Sequence, residues 1–224
     1  MNRHEDTILA LIAGYVDTVG FIALFGLFTA HVTGNFVLIG AEVAGVGQGV
    51  LLKLLAFPSF IVGIAMSSVI FKFLERRHAA HAASALYLLQ AALLVSFLVT
   101  GLLAAPITDA TAAMVLICGV LGTMAMGVQN ARGKLLQVAG LPNTVMTGNV
   151  TQVVLDAIEL IHRGTRGDHG QQVSERLKWT LAAMSGFAAG AIAGALAFVK
   201  LSFIAVALPV AVLLFLAWKR RSNP

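Results

Sequence analysis

One tripeptide occurs twice in this chain, as Thr33-Gly34-Asn35 and as Thr147-Gly148-Asn149, and each copy precedes a short apolar stretch. Thr and Asn are favourable at a helix N-terminus because their side-chain oxygens accept hydrogen bonds from free backbone N–H groups, and Gly permits close approach. A helix N-terminus also carries partial positive charge. The repeat therefore predicts two donor-rich helix ends that bind a substrate or ion. The alternative is two structural caps without a ligand.

An acidic residue, Asp17, lies near the centre of the first apolar run. A carboxylate at the centre of a bilayer costs about 2.5–3.5 kcal/mol, so such residues usually face a protein interior or an ion pathway. Asp17 is therefore a candidate for proton or cation coupling, or for binding a solute. The alternative is a structural hydrogen bond, with Gln129 and Asn130 as partners. His31, two residues before the first tripeptide, is a further candidate, or else a satisfied polar residue.

The amino-acid composition indicates the environment in which these residues lie. Of 224 residues, 58% are hydrophobic and 11% are charged, and the mean hydropathy is +0.90. Soluble domains carry about 25% charged residues, so the chain is predicted to be an integral membrane protein. The net charge of +5 does not indicate nucleic-acid binding, because the basic residues cluster just outside apolar spans. A single cysteine, Cys118, excludes an intramolecular disulfide and a multi-cysteine metal site.

The apolar runs predict an all-α protein with membrane-spanning helices. Two other apolar segments, Phe36–Val46 and Val150–Ile161, are about 11 or 12 residues long and reach ~17 Å, whereas a bilayer core is ~30 Å thick. They are either re-entrant half-helices or the second halves of broken spans. The six predicted spans cover residues 7–27, 50–74, 83–104, 110–131, 179–199 and 201–218.

The positive charges separate these two interpretations. If the short segments do not cross, most basic groups fall on one side of the membrane, and Lys200 is the exception. If both cross, the predicted hydrophilic loop 163–178 and the basic tail fall outside. The positive-inside rule favours six crossings with both termini in the cytoplasm. The basic groups on that side are Arg76-Arg77, Arg132 and Lys134, Arg163 to Lys178, and Lys219-Arg220-Arg221.

The two halves of the chain match beyond the tripeptide. The pattern Gly-x-x-(Asp/Asn)-x-x-Gly covers residues 14–20 and again 127–133, and each copy precedes its tripeptide at the same distance to within one residue. We predict two three-helix repeats in one membrane domain, residues 1–104 and 105–224. Because three crossings are an odd number, the second repeat is inverted, as is typical of transporters. The two half-helix ends then approach each other near the midplane.

Other signals in the sequence are weaker. Gly186, Gly190 and Gly194 form a small-residue stripe that permits close helix packing, within one protomer or in a homo-oligomer. The chain contains none of the metalloprotease, hydrolase, P-loop or dinucleotide-binding signatures. We therefore predict that the protein is not an enzyme and uses neither cofactor nor metal.

Several of these motifs together resemble a known family. The residues are Asp17-Thr-Val-Gly20-Phe21, Phe28-Thr-Ala-His31-Val32-Thr33-Gly34-Asn35, Gly127-Val-Gln129-Asn130-Ala131 and Met146-Thr147-Gly148-Asn149. They resemble the YoaK-type small bacterial membrane proteins over nearly the whole chain. The resemblance implies a bacterial inner-membrane protein of about six spans. It implies no activity, because that family is a domain-of-unknown-function group.

The sequence as a whole predicts a membrane transporter for a small solute. Its midplane site would consist of the two tripeptides with Asp17, Gln129 and Asn130, and transport would be coupled to protons or cations. The first alternative is a passive channel in which Asp17 is structural. The second is a membrane scaffold protein that transports nothing.

The six-crossing topology makes a prediction about two loop positions. Gln48→Cys and Gly167→Cys, each made in a Cys118→Ala background, should react with an impermeant thiol reagent from opposite sides of the membrane. Labelling of both positions from the same side would refute six crossings.

Overall fold

The computed structural model describes residues 3–75, 79–136, 146–163 and 167–222. In these ranges the chain forms α-helices, and a short 3-10 segment, Ser202–Val206, follows α7. The helices are α1 (Arg3–Ala23), α2 (Gly34–Val43), α3 (Val50–Glu75), α4 (Ala79–Ala104), α5 (Ala113–Leu135), α6 (Met146–Arg163), α7 (Gly167–Leu201) and α8 (Ala207–Ser222).

Five stretches of the described chain are long and apolar enough to cross a membrane. These are α1, α3, residues 81–104 of α4, α5, and the stretch 167–222 that contains both α7 and α8. The predicted class, an all-α integral membrane protein with several membrane-spanning helices, is therefore confirmed.

Two predicted boundaries were wrong. Residues 167–178, predicted as a loop, are the first part of the 35-residue α7, because polar residues such as Gln, Glu and Arg are good helix formers and polarity indicated only exposure. α6 begins at Met146 and has 18 residues, so it is longer than the predicted segment 150–161. The predicted basic loop Arg76-Arg77 lies outside the described residues.

Helices α1 and α5, which carry the matching sequence patterns, run in opposite directions. Near the start of α1, the side chain of Gln129 donates to the carbonyl oxygen of Leu9 at 2.8 Å, and Arg132 lies 3.6 Å from Glu5. Beyond the other end of α1, Leu27 faces Gly119. Residue numbers thus rise along α1 as they fall along α5.

Each of these two helices packs against a helix from the opposite half of the chain. Gly14 of α1 faces the carbonyl of Phe187 in α7, and Gly190 of α7 faces the carbonyl of Leu11. The contacts between α5 and α3 have the same form. Gly127 faces the carbonyl of Phe60, and Gly63 faces the carbonyl of Met124.

The glycine stripe of α7 is used inside the protomer. Gly186, Gly190 and Gly194 are buried and lie against the backbone carbonyls of Thr7, Leu11 and Tyr15 in α1. Of the two uses predicted for this stripe, the structure shows the first, close packing within one protomer, since α1 occupies it. Residue numbers rise together along the two helices in these contacts, so α1 and α7 run parallel.

The 3-10 segment after α7 reverses the chain. The Tyr15 hydroxyl donates to the carbonyl of Ala205 at 2.9 Å, and at the far end of α8 the Arg220 guanidinium donates to the Glu5 carboxylate. α8 therefore runs antiparallel to α1. The two ends of the described chain lie together at one end of the bundle.

The segment between α1 and α3 turns back along α1. α1 ends in a left-handed turn at Phe25 (φ 51°) and Gly26 (φ 77°), and the amide of Gly26 donates to the carbonyl of Phe21, as in a glycine-type helix end. After α2, the Lys53 ammonium near the start of α3 donates to the carbonyl of Phe25 at 2.6 Å. α3 therefore begins beside the end of α1, and α2 does not traverse the bundle.

The close contact between α1 and α7 predicts a sensitivity to small added volume. A Cβ at Gly190 would lie 2.0 Å from the Leu11 carbonyl oxygen, so Gly190→Ala should separate the helices and destabilise the protein by about 1–3 kcal/mol. Gly40→Ala is the matched control, because a Cβ there meets nothing within 4 Å. The measurement is the midpoint of thermal unfolding in detergent. Equal midpoints for the two variants would contradict this packing.

Candidate functional site

The carboxylate of Asp17 binds the backbone of the segment that follows its own helix. Its Oδ1 accepts hydrogen bonds from the amides of Thr29 and Ala30, each at 2.7 Å, and from the Thr29 hydroxyl at 3.2 Å. Gly20 makes this approach possible, because a Cβ there would lie 2.7 Å from the Thr29 methyl carbon. Asp17 is six residues, about 9 Å, before the end of α1. The segment that contains Thr29 and Ala30 therefore turns back along α1 as far as Asp17.

The second oxygen of Asp17 binds His31. The distance from Oδ2 to the His31 Nδ1 is 2.8 Å. The Asp17 side chain is 5% exposed and the His31 side chain is 34% exposed, so the imidazole is the more accessible member of the pair. The ring of His31 meets the ring of Phe187 edge-on, with centroids 5.2 Å apart.

Asn35 of the first tripeptide holds the turn before α2. Its Oδ1 accepts from the amide of Phe28 at 2.9 Å, and its Nδ2 donates to the carbonyl of the same residue at 2.8 Å. The residue is 1% exposed. Both polar groups of the side chain therefore bind the protein itself. This agrees with the alternative in which the tripeptide is structural and holds no ligand.

The capping role predicted for the first tripeptide was wrong. Thr33 precedes α2 but makes no side-chain capping hydrogen bond. The amides of Gly34, Asn35 and Phe36 donate to carbonyls three residues earlier, so this helix end is not a cluster of free donors. Thr147 is the second residue of α6 and lies within the helix rather than before it.

A cavity of about 640 Å³ brings residues of both halves together. His31, Thr33 and Gly34 line it from the first half, and Thr147 lines it from the second. Asp17 forms part of the wall. The remaining described lining residues are Thr18 and three aromatic residues, Phe21, Phe28 and Phe187. The sequence carried no signal for Phe187, since only the packing of α7 on α1 places it there.

Five predicted site residues are not among those that line this cavity, and one of them is Asn35, which binds Phe28. Gln129 is fully buried and joins three helices, donating to Leu9 and accepting from Gln90 at 2.7 Å. Asn130 is half-buried, Gly148 is exposed and Asn149 is buried. The Asn149 amide lies 3.9 Å from the sulfur of Met146.

Two ion pairs were missed by the sequence analysis. In the first half, Glu42 of α2 binds the buried Lys53 of α3. In the second half, Asp156 of α6 binds Arg176 of α7 at 2.6 Å. Asp156 is 1% exposed, so its carboxylate is buried in this pair. Each short helix is thus joined to the helix that follows it by a pair of opposite charges.

Comparison with known proteins agrees with the resemblance found in the sequence. A family model described as "Protein of unknown function (DUF1275)" matches residues 7–218. The UPF0700 transmembrane protein YoaK of Bacillus subtilis (strain 168) is 30% identical over 151 residues, which are 67% of this chain and 64% of that relative. The chain therefore aligns with slightly less than two thirds of that relative's length. No solved structure matches the chain.

The contacts of Asp17 predict a difference between two substitutions. Asp17→Ala leaves the amides of Thr29 and Ala30 without their acceptor, and an unsatisfied buried donor costs about 1–3 kcal/mol. Asp17→Asn keeps one carbonyl oxygen in place for both amides. We expect the alanine variant to unfold at a clearly lower temperature than the asparagine variant in detergent. Equal loss of stability in the two variants would show that the negative charge of Asp17, and not its role as a hydrogen-bond acceptor, holds the segment of Thr29 and Ala30.

Proposed function

We propose, for a chain that belongs to the DUF1275 family of proteins of unknown function, that the protein is a multi-pass membrane transporter for a small solute. The transport site is the cavity between the two halves. The observation that carries this proposal is that Thr33 and Thr147, the same residue of the repeated tripeptide, line one cavity. Sites at the interface of two repeats are typical of secondary transporters.

The shape of the cavity supports binding of a small organic solute. Its volume of about 640 Å³ lies within the range of small-molecule pockets, roughly 300–1,000 Å³. Aromatic rings form much of the wall, and hydroxyl groups with one imidazole supply the polar contacts. Such a mixture of apolar surface and a few polar groups is usual for pockets that bind and orient a small molecule.

An inverted repeat accounts for the arrangement of the helices. The matching helices α1 and α5 are antiparallel, and each uses a glycine of the matching pattern, Gly14 or Gly127, against the second crossing of the other half, α7 or α3. Counting α7 and α8 as separate crossings gives six. In this scheme α2 and α6 are the re-entrant helices, and the pairs Glu42–Lys53 and Asp156–Arg176 are counterparts.

We place the protein in the bacterial inner membrane with both termini in the cytoplasm. Arg132 and Arg220 lie at the same end of the bundle because both contact Glu5, and Lys134 and Lys219 lie next to them in the sequence. A concentration of basic residues at one end is the usual signature of the cytoplasmic side.

A passive channel is the second candidate. It is favoured by the observation that Asp17 accepts hydrogen bonds from Thr29 and Ala30 and faces His31, as a structural acid would. A scaffold without transport activity is less favoured, because it gives no reason for a cavity shared by two repeats.

Filling the cavity tests the proposed function. Thr147→Trp places a large ring in the cavity, whereas Thr151→Trp, one turn further along α6, adds the same ring at an exposed position that does not line it. Proteoliposomes are tested by stopped-flow light scattering with a panel of small neutral and ionised solutes. We expect at least one solute to cross with the wild type and with Thr151→Trp, and its flux with Thr147→Trp to fall to the level of empty liposomes. Equal flux in both variants, or no flux with any solute, would overturn the proposal.

A further inference from the structure

We propose that His31 carries the coupling proton of this cavity on its Nε2 atom, and that Asp17 is the residue that positions it. The inference rests on the proposed transport function and deepens it by naming the coupling ion and the atom that binds it. The sequence indicated Asp17 as the group that carries the proton. The proposal assigns that role to His31, the residue bound to Asp17.

The first step is that the carboxylate of Asp17 is already occupied. One oxygen accepts from the amides of Thr29 and Ala30 and from the Thr29 hydroxyl. The other oxygen faces the His31 ring at 2.8 Å. A carboxylate with four partners has little capacity left for a solute. Protonating it would also weaken the bonds that hold the segment beside α1.

The second step is the orientation of the imidazole. The nitrogen that faces Asp17 is Nδ1, and a carboxylate accepts hydrogen bonds, so the neutral ring carries its proton on Nδ1. The lone pair is then on Nε2, the nitrogen on the other side of the ring. His31 lines the cavity and its side chain is 34% exposed. A proton that arrives from the cavity therefore binds Nε2.

The third step is the charge around the ring. From α1, Asp17 supplies one negative charge; from α7, Phe187 supplies an uncharged ring, and the segment before α2 supplies another, Phe28, at 6.3 Å. Thr147 of α6 is also uncharged. Among the described lining residues, Asp17 and His31 are the titratable ones. Proton uptake thus gives a neutral carboxylate–imidazolium pair, and no other bond forms or breaks.

The proton itself is the probe in the experiment, so no solute has to be identified. The full-length protein, labelled with ¹⁵N-histidine, is placed in lipid nanodiscs and its imidazole signals are followed by NMR between about pH 5 and pH 8. His31→Gln identifies the signals of His31 by their disappearance. The other histidines serve as internal controls for correct folding.

In the wild type we expect His31 to carry its proton on Nδ1 at the alkaline end and to gain a second proton on Nε2 as the pH falls. In Asp17→Asn the side-chain amide can donate to Nδ1, so the neutral ring should carry its proton on Nε2 instead. Absence of titration at His31, or a wild-type ring protonated on Nε2 when neutral, would overturn the proposal.

Failure of this inference and failure of the transport function give different results. Titration of His31 without flux of any solute would refute transport and leave the proton site intact. Flux that responds to a proton gradient in the wild type should no longer respond to it in His31→Gln. A response that persists unchanged in His31→Gln would refute the role of His31 while transport itself stands.

Discussion

The structure depends on an acceptor for backbone amides within the apolar bundle. A segment without helical hydrogen bonds is tolerated at membrane depth only if the protein satisfies its polar groups. Asp17 does so for Thr29 and Ala30, and Asn35 does so for both polar backbone groups of Phe28. These two side chains hold the chain between α1 and α2 beside α1. The position of α2, the cavity wall and the orientation of His31 all follow from this arrangement.

The same reasoning explains the spacing of the motif around Asp17. Gly14 and Gly20 flank the acid at equal distances along α1, but they serve different neighbours. Gly14 admits the backbone of α7, whereas Gly20 admits Thr29. The acid therefore lies on a part of α1 that is approached closely by a helix of the second half and by the returning segment of the first. The cavity lies where these two neighbours meet.

Much of the architecture could be predicted from the sequence because hydropathy and repetition are strong signals. The membrane class and the approximate positions of the long apolar helices were predicted from them. The chemistry of individual residues could not be. Thr33 and Asn35 have good capping side chains, yet the tight turn before α2 satisfies its own amides, and Asn35 binds Phe28. Lys53 and Glu42 are ordinary charges in the sequence, and only the fold of α2 against α3 makes them a buried pair.

Helices α1 and α3 pack most closely against helices of the second half, α7 and α5, and this has a consequence for the order of assembly. α1 leaves the ribosome first, but the helix that fills the groove at Gly14 is α7, close to the end of the chain. In the first half alone, α1 and α3 each lack the helix against which they pack most closely. Helices α1 and α3 must therefore remain without their closest partners, with Gly14 and Gly63 uncovered, until the second half of the chain has been made. Assembly of the bundle is thus a late, post-insertion event, and the two halves are partners in one structure and not independent domains.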